Sequence, residues 1–188
     1  MTHEPPPAFK ALGEDEVHAG RVIRVVQADF EGPEGERFRR DIVRSPGAVA
    51  VVPVLDGPDG LHTLLVHQYR PAIDRWLFEI PAGLRDQPGE DPAATAVREL
   101  IEETGFSAGT VELLTVFLNA AGMTDQATHI YLARELDEVG SAGVGVEEAY
   151  LQVRRVPFGA VRAMIDQGEL MDAKTIIGLL LALDRLGL

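Results

Sequence analysis

The sequence of 188 residues contains no cysteine, few aromatic residues and fewer basic than acidic side chains. Without cysteine the protein can form neither disulfide bonds nor zinc sites built from thiolates. We find no secretion signal and no apolar run long enough to span a bilayer. We therefore expect a cytoplasmic protein that does not bind membranes.

The charge balance restricts the partners further. Lys and Arg number 17 against 30 Asp and Glu, which gives a formal net charge of −13. Because nucleic-acid-binding surfaces are strongly basic, we expect no nucleic-acid partner. An anionic small molecule would have to be bound through a metal ion and a few local arginines.

The first quarter of the chain predicts a small β-sheet. Met1–Gly13 contains three consecutive prolines and is expected to form an irregular arm. The β-branched runs Gly20–Ala28 and Arg37–Arg44 flank a turn-rich segment and predict an antiparallel hairpin. We predict that residues 1–45 form this arm and small sheet, and that residues 46–188 form the main domain. A hairpin is marginal alone, so it must pack on the main domain or on a second copy.

The main domain alternates apolar strands with helices. Six segments predict strands: Ala48–Leu55, Leu61–Arg70, Trp76–Gly83, Val111–Leu118, Thr128–Leu136 and Tyr150–Phe158. Two helices, Gly159–Gln167 and Ala173–Gly187, close the chain. Continuously apolar strands are covered on both faces, so we predict an α/β (α+β) fold with a mixed β-sheet between helices.

The segment Pro81–Phe106 contains a predicted helix with three candidate metal-binding glutamates. Asp91 can cap a helix, Pro92 suits its first position and Gly105 can end it, which predicts a helix of about 13 residues. Glu99 and Glu103 then lie one turn apart on one face, with Glu102 beside them. These like charges need compensation, which a hard divalent cation such as Mg²⁺ or Mn²⁺ would provide. The alternative is an ordinary solvated acidic face.

The string R-E-L-I-E-E-T-G-F at Arg98–Phe106, with Glu90 before it, resembles the signature of the Nudix hydrolases. One departure is that six residues separate Gly83 from Glu90, where the family has five. The resemblance implies a Mg²⁺- or Mn²⁺-dependent hydrolase. It also implies a metal site formed by the backbone carbonyl of Ala82 and by three carboxylates: Glu99, Glu102 and Glu103. Glu102 is also a candidate catalytic residue, and Arg98 is expected to form a structural salt bridge with Glu90.

The strings Q-Y-R-P-A and E-I-P-A-G resemble the branch of this family that cleaves ADP-ribose. The resemblance implies that Arg70 contacts a substrate phosphate; an ordinary surface ion pair is the alternative. The remaining candidate substrate-binding residues are Glu79, Gly122, Met123 and Gln126. The last three lie in the loop A-A-G-M-T-D-Q, where this chain has Gln126 in place of the acid of the branch. A neutral amide can bind ribose hydroxyls, but it can neither coordinate a metal strongly nor act as a base.

A later glycine-rich segment, GVGVEEAYLQV, places Glu147 and Glu148 directly before a strand. In the similar branch such a loop carries the general base, at the position that aligns with Glu148. A solvated surface loop is the alternative. If neither glutamate is the base, either the base lies elsewhere, for example at Asp125, or a metal-bound hydroxide needs no protein base. The resemblance therefore implies Glu148 as the catalytic base.

Together these features predict an enzyme that hydrolyses the pyrophosphate bond of ADP-ribose to AMP and ribose 5-phosphate, by attack of water on phosphorus. Other nucleotide sugars, such as GDP-mannose, or other nucleoside diphosphate derivatives are alternative substrates. A ligand sensor of the same fold without turnover and a plain structural domain are the non-enzymatic alternatives. The resemblance also implies a homodimer formed with the help of the N-terminal sheet.

Overall fold

The structure is a computed structural model and describes residues 7–140 and 150–188. The chain divides into two compact units, Met1–Pro46 with Leu118–Gln126, and Gly47–Phe117 with Ala127–Leu188. The domain assignment of residues 1–45 and 46–188 stays a prediction. Within the described residues, none of the helices has the length and apolar character needed to cross a membrane.

The first unit is built on a three-stranded antiparallel sheet of β1 (Lys10–Ala19), β2 (Arg24–Glu31) and β3 (Arg37–Arg44). The predicted hairpin is confirmed as β2 and β3, although β2 begins four residues later than expected. Its turn is closed by the amide of Gly32, which donates to the carbonyl of Glu36 at 2.8 Å. Gly35 supplies the left-handed conformation, with φ of 85°.

The expectation of an irregular arm is wrong for Lys10–Gly13, which form the start of β1. Every residue of β1 is exposed, so the strand has no buried face and no apolar alternation that a sequence could reveal. It is held by backbone pairing along β2, with register shifts after Ala11 and after Glu16. Pairing between strands, rather than local sequence, determines this element.

In its described residues, the second unit contains two sheets and three helices. Its strands in chain order are β4 (Ala48–Pro53), β5 (Leu55–Gly57), β6 (Gly60–Arg70), β7 (Arg75–Glu79), β8 (Ala82–Leu84), β9 (Phe106–Leu118), β10 (Ala127–Glu138) and β11 (Gln152–Pro157). Its helices are α1 (Pro92–Thr104), α2 (Val161–Asp166) and α3 (Ala173–Leu186). One sheet has the order β8-β4-β10-β9 with β4 parallel to β10, and the other has the order β11-β6-β5 with β7 also paired to β6.

The predicted single strand Trp76–Gly83 is wrong, because the segment is divided between the two sheets. The interruption lies at Ile80 and Pro81, where Pro81 has no amide hydrogen to donate. The amide of Ile80 donates instead to the hydroxyl of Thr175 at 3.0 Å. The carbonyl of Pro81 accepts from the amide of Val51 at 2.8 Å. The predicted helix Gly159–Gln167 is also shorter than expected, because a 3₁₀ turn occupies Phe158–Ala160 before α2.

The predicted mixed sheet between helices is confirmed by the two sides of β4. Val49 and Val51 pack with Leu100 of α1 in one buried cluster. Ala50 and Val52 pack with residues of α3 in a second, larger cluster that also contains residues of β6 and β11. The strand is therefore buried on both faces, which explains its continuous apolar sequence.

Candidate active site

Helix α1 presents the predicted acids because its two ends are fixed locally. The Asp91 side chain accepts from the amide of Ala93 at 2.8 Å, and Pro92 is the first helical residue. Gly105 ends the helix in the left-handed conformation, with φ of 77°. The predicted bounds are confirmed. Since Ala96 and Leu100 are buried, Glu99 and Glu103 project from the adjacent side of the helix.

The strand β8 lies directly against these two acids. The amide of Ala82 donates to Oε2 of Glu103 at 2.9 Å. At Gly83, an added Cβ would overlap the carboxyl group of Glu99. The absence of a side chain at Gly83 therefore allows the backbone of β8 to approach Glu99, and the two acids share one site.

Arg98 pairs with several carboxylates around this site. Its ion pair with Glu90, at 3.3 Å, confirms the predicted structural salt bridge between loop and helix. Arg98 also pairs with Glu99 at 2.7 Å and with Glu102 at 3.2 Å. The sequence interpretation missed these two contacts, although Arg98 and Glu102 are four residues apart and so share a helix face.

Without a metal ion, the pKa values of Glu99 and Glu103 are raised above the usual range of a carboxyl group. Burial is the main cause that raises the pKa of Glu99 to about 7, and the pairing with Arg98 only partly opposes it. Burial likewise raises the pKa of Glu103 to about 8, against the opposing hydrogen bond from Ala82. The negative charge of Glu99 raises the pKa of Glu103 further. A site with two such carboxylates favours an added cation.

The donor set fits a hard divalent cation in its chemistry, since Mg²⁺ and Mn²⁺ prefer carboxylate and carbonyl oxygens. The carboxylates do not already converge: residues 7–140 and 150–188 contain no ready-made group of three potential metal ligands. Glu99 and Glu102 are turned towards Arg98. A metal ion bound here would compete with Arg98 for the carboxylates of Glu99 and Glu102. The roles of Glu99, Glu102, Glu103 and Ala82 as ligands stay predictions.

Arg70, at the end of β6, forms a bidentate ion pair with Glu79, at the end of β7. Its Nε and Nη2 donate to the two carboxylate oxygens, both at 2.7 Å. The Glu79 side chain is 1% exposed and that of Arg70 is 38% exposed. Arg70 therefore forms an ion pair, as the alternative predicts, but its partner is a buried carboxylate rather than an exposed one. The substrate-binding roles of both residues stay predictions.

Lys174 also binds Glu79, and sequence reasoning missed it. Its Nζ donates to Oε2 of Glu79 and, at 3.0 Å, to Asp172. Burial alone would raise the pKa of Glu79, but the hydrogen bonds from Arg70 and the charge of Lys174 outweigh it and hold that pKa below its usual range. No local pattern in the sequence marks this contact, because Lys174 and Glu79 are 95 residues apart.

The other candidate substrate residues lie in the first unit. The carbonyl of Met123 accepts from the amide of Val43 at 2.8 Å, and Met123 itself is 58% exposed. Gly122 and Met123 line a pocket of roughly 550 Å³ whose other walls include Phe30 and Phe38. The carbonyl of Gln126 accepts from the amide of Asn119 at 3.1 Å. The substrate roles of Gly122, Met123 and Gln126 stay predictions.

Of the two candidate bases, the structure describes Asp125 but not Glu148. Asp125 pairs with Arg44 at 3.2 Å and accepts from the amide of Ser45 at 3.0 Å, so it has a structural role within the first unit. Glu148 and its neighbour Glu147 lie outside the described residues. The assignment of Glu148 as catalytic base stays a prediction.

The chain is similar to known proteins in sequence and in fold. The family model described as the NUDIX domain matches residues 44–174. An ADP-ribose pyrophosphatase of Bacillus subtilis is 36% identical over 166 residues, which cover 88% of this chain and 88% of that protein. A GDP-mannose pyrophosphatase of Salmonella paratyphi B is 34% identical and covers 82% of this chain and 84% of that protein.

A solved structure described as an ADP compounds hydrolase has a similar fold. It superposes with a TM-score of 0.82 at 24% sequence identity and covers 100% of this chain and 97% of that chain. At this identity the likeness concerns the fold.

Proposed function

This chain belongs to the Nudix hydrolase family, and from that premise we propose that it hydrolyses the pyrophosphate bond of ADP-ribose to AMP and ribose 5-phosphate. Water attacks one phosphorus of the pyrophosphate, and the other phosphate leaves with its sugar or nucleoside. The cofactor is Mg²⁺ or Mn²⁺. The relative from Bacillus subtilis, named for ADP-ribose, supports this choice of substrate.

The observation that carries the proposal is the pair of partly buried acids facing β8. Glu99 and Glu103 share one site against Ala82 and Gly83, and burial raises the pKa of both carboxyl groups. A ligand sensor or a structural domain has no need of such a costly cluster. A hydrolase that uses a divalent cation does, and this favours the enzymatic reading.

We assign the residue roles from the family resemblance and from the chemistry of each group. Glu99, Glu102, Glu103 and the carbonyl of Ala82 would hold the metal, and Glu102 would also take part in catalysis. When bound, a divalent cation neutralises charge on the pyrophosphate and makes water a better nucleophile. The guanidinium of Arg70 would bind a phosphate, because its planar arrangement of N–H donors matches the spacing of phosphate oxygens.

Glu79 binds Arg70 with both oxygens, so we assign its part in substrate binding to the orientation of Arg70. Glu148 would accept the proton of the attacking water, since acids that hold a metal are poorly suited to that task. Gly122, Met123 and Gln126 would contact the nucleotide or the ribose. The N-terminal sheet would form a homodimer, and the enzyme would act in the cytoplasm.

GDP-mannose is the second candidate substrate, because the relative from Salmonella paratyphi B is named for it. The two substrates share a sugar attached to a nucleoside diphosphate, and they differ in the base and the sugar. The replacement of an acid by Gln126 in the substrate loop is a specific reason to test both. The acids of α1 would serve either substrate.

The test is a substrate panel with defined metals. The purified protein is incubated with ADP-ribose, GDP-mannose and other nucleoside diphosphate sugars in Mg²⁺, in Mn²⁺ or in EDTA, and nucleoside monophosphate is quantified by chromatography. We expect AMP from ADP-ribose with either metal and no product in EDTA. If GMP is released from GDP-mannose faster than AMP from ADP-ribose, GDP-mannose is the substrate and the ADP-ribose assignment is wrong. If no compound gives a product with either metal, the enzymatic proposal is wrong.

A further inference from the structure

The first turn of α3 is anchored to the segment that joins β7 to β8. Asp172 caps the helix, because its Oδ2 accepts from the amide of Thr175 at 2.9 Å and from its hydroxyl at 2.6 Å. The same hydroxyl accepts from the amide of Ile80 at 3.0 Å. This places residues from the end of the chain directly beside Glu79, which precedes Ile80.

Lys174 lies in this turn and shares the Glu79 carboxylate with Arg70. Oε2 of Glu79 accepts from Lys174 Nζ and from Arg70 Nη2, and Oε1 accepts from Arg70 Nε. The Lys174 side chain is 11% exposed and that of Glu79 is 1% exposed. A buried carboxylate is stable only when its charge is compensated and its oxygens are hydrogen-bonded, and here two cations do this.

The geometry gives the three residues different tasks. Lys174 is nearly buried and its ammonium is taken up by Glu79 and Asp172, so it is poorly placed to bind a ligand itself. Arg70 is the more exposed cation, and its Nη1 takes no part in the pair with Glu79. A guanidinium that binds a carboxylate through Nε and Nη2 can still donate to a phosphate through Nη1.

We propose that Lys174 is a positioning residue for substrate binding: it fixes the Glu79 carboxylate and thereby holds the Arg70 guanidinium in the orientation that receives the substrate's diphosphate. This inference rests on the proposed function. It assigns a role to the first turn of α3, which contributes none of the predicted metal ligands.

The test uses the two lysines of the chain as a matched pair. Lys174→Met removes the ammonium but keeps a long apolar stem, and Lys174→Arg keeps a cation that can donate to Glu79. Lys10→Met is the control, because Lys10 is exposed at the start of β1. The affinity for ADP-ribose is measured by calorimetry in EDTA, and KM and kcat are measured with Mg²⁺.

We expect Lys174→Met to weaken ADP-ribose binding and raise KM about ten-fold, as loss of one charge-assisted contact to a binding group would, while kcat changes much less. Lys174→Arg should recover most of the affinity, and Lys10→Met should match the wild type. Unchanged affinity in Lys174→Met would overturn the proposal. If Lys174→Met does not unfold cooperatively, Lys174→Gln is measured in its place.

A double variant separates positioning from a general structural effect. If Lys174 acts through Arg70, Lys174→Met should have no further effect on affinity once Arg70→Ala has removed the guanidinium. An equal loss of affinity in both backgrounds would show that Lys174 acts independently of Arg70, and the proposal would be wrong.

Failure of this inference is distinguishable from failure of the proposed function. If the wild type neither binds nor hydrolyses ADP-ribose, the proposed substrate is wrong, and the same variants are compared on the nucleotide sugar that the panel identifies. If the wild type is active and Lys174→Met retains its affinity and KM, only the role of Lys174 is wrong.

Discussion

Replacing Gly83 with alanine should displace the Glu99 carboxylate and lower hydrolysis while leaving the protein folded. The three atoms nearest to an added Cβ at Gly83 are all in the carboxyl group of Glu99, and all overlap with it. Gly83 does not have a positive φ, so alanine suits its backbone conformation. The end of a flexible side chain can move, and the predicted consequence is a shifted metal ligand in an otherwise intact site.

The structure sets the expected magnitudes. Displacing Glu99 weakens its ion pair with Arg98, whose side chain is 25% exposed, and a pair of this kind contributes about 0–1 kcal/mol. Alanine restricts the unfolded chain and offsets this by about 0.4–1 kcal/mol. The free energy of unfolding should therefore change by less than about 1 kcal/mol. A catalytic group misplaced by about 1 Å costs roughly 100-fold, so kcat/KM should fall by about that factor.

Two other glycines serve as controls in the same AMP-release and thermal-unfolding assays. An added Cβ at Gly159 meets nothing within 4 Å, so Gly159→Ala should leave activity unchanged and should raise stability by about 0.4–1 kcal/mol at most. An added Cβ at Gly178 would lie 2.9 Å from Ile80 and 3.0 Å from Val52, so Gly178→Ala should cost about 1–3 kcal/mol of stability. Full activity in Gly83→Ala would refute the place of Glu99 in the site, and a loss of stability equal to that of Gly178→Ala would refute the expectation of a local effect.

Three further predictions concern the acids and the assembly. Glu103→Gln should lower turnover by several orders of magnitude and leave unfolding cooperative, because the amide oxygen can still accept from Ala82; an active variant would contradict the metal assignment. Glu148→Gln should lower kcat by roughly 10²- to 10⁴-fold with little change in affinity, and Glu147→Gln should be much milder. If the two effects are reversed, the assignment of the base is wrong by one residue. Light scattering at micromolar concentration should give the mass of a homodimer, and the mass of a monomer would refute the role of the N-terminal sheet.

Local sequence signals are sufficient to predict the helix that carries the acids. Asp91, Pro92 and Gly105 act within one turn of the residues they affect, so the bounds of α1 could be predicted and are confirmed. The spacing of Glu99 and Glu103 likewise fixes their common face through the helical period. The continuous apolar run of β4 also predicted burial on both faces. Alternate residues of a strand face opposite sides of the sheet, and both sets are apolar here.

Contacts between residues far apart in the chain depend on how the elements pack and could not be predicted. Glu79 contacts Lys174 and Ile80 contacts Thr175, in each case 95 residues apart, and no local pattern encodes such a distance. The close approach of Gly83 to Glu99 depends on how β8 lies against α1. The exposed strand β1 depends on its pairing with β2. Capping and periodicity are properties of a few neighbouring residues, whereas these contacts form only when packing brings distant segments together.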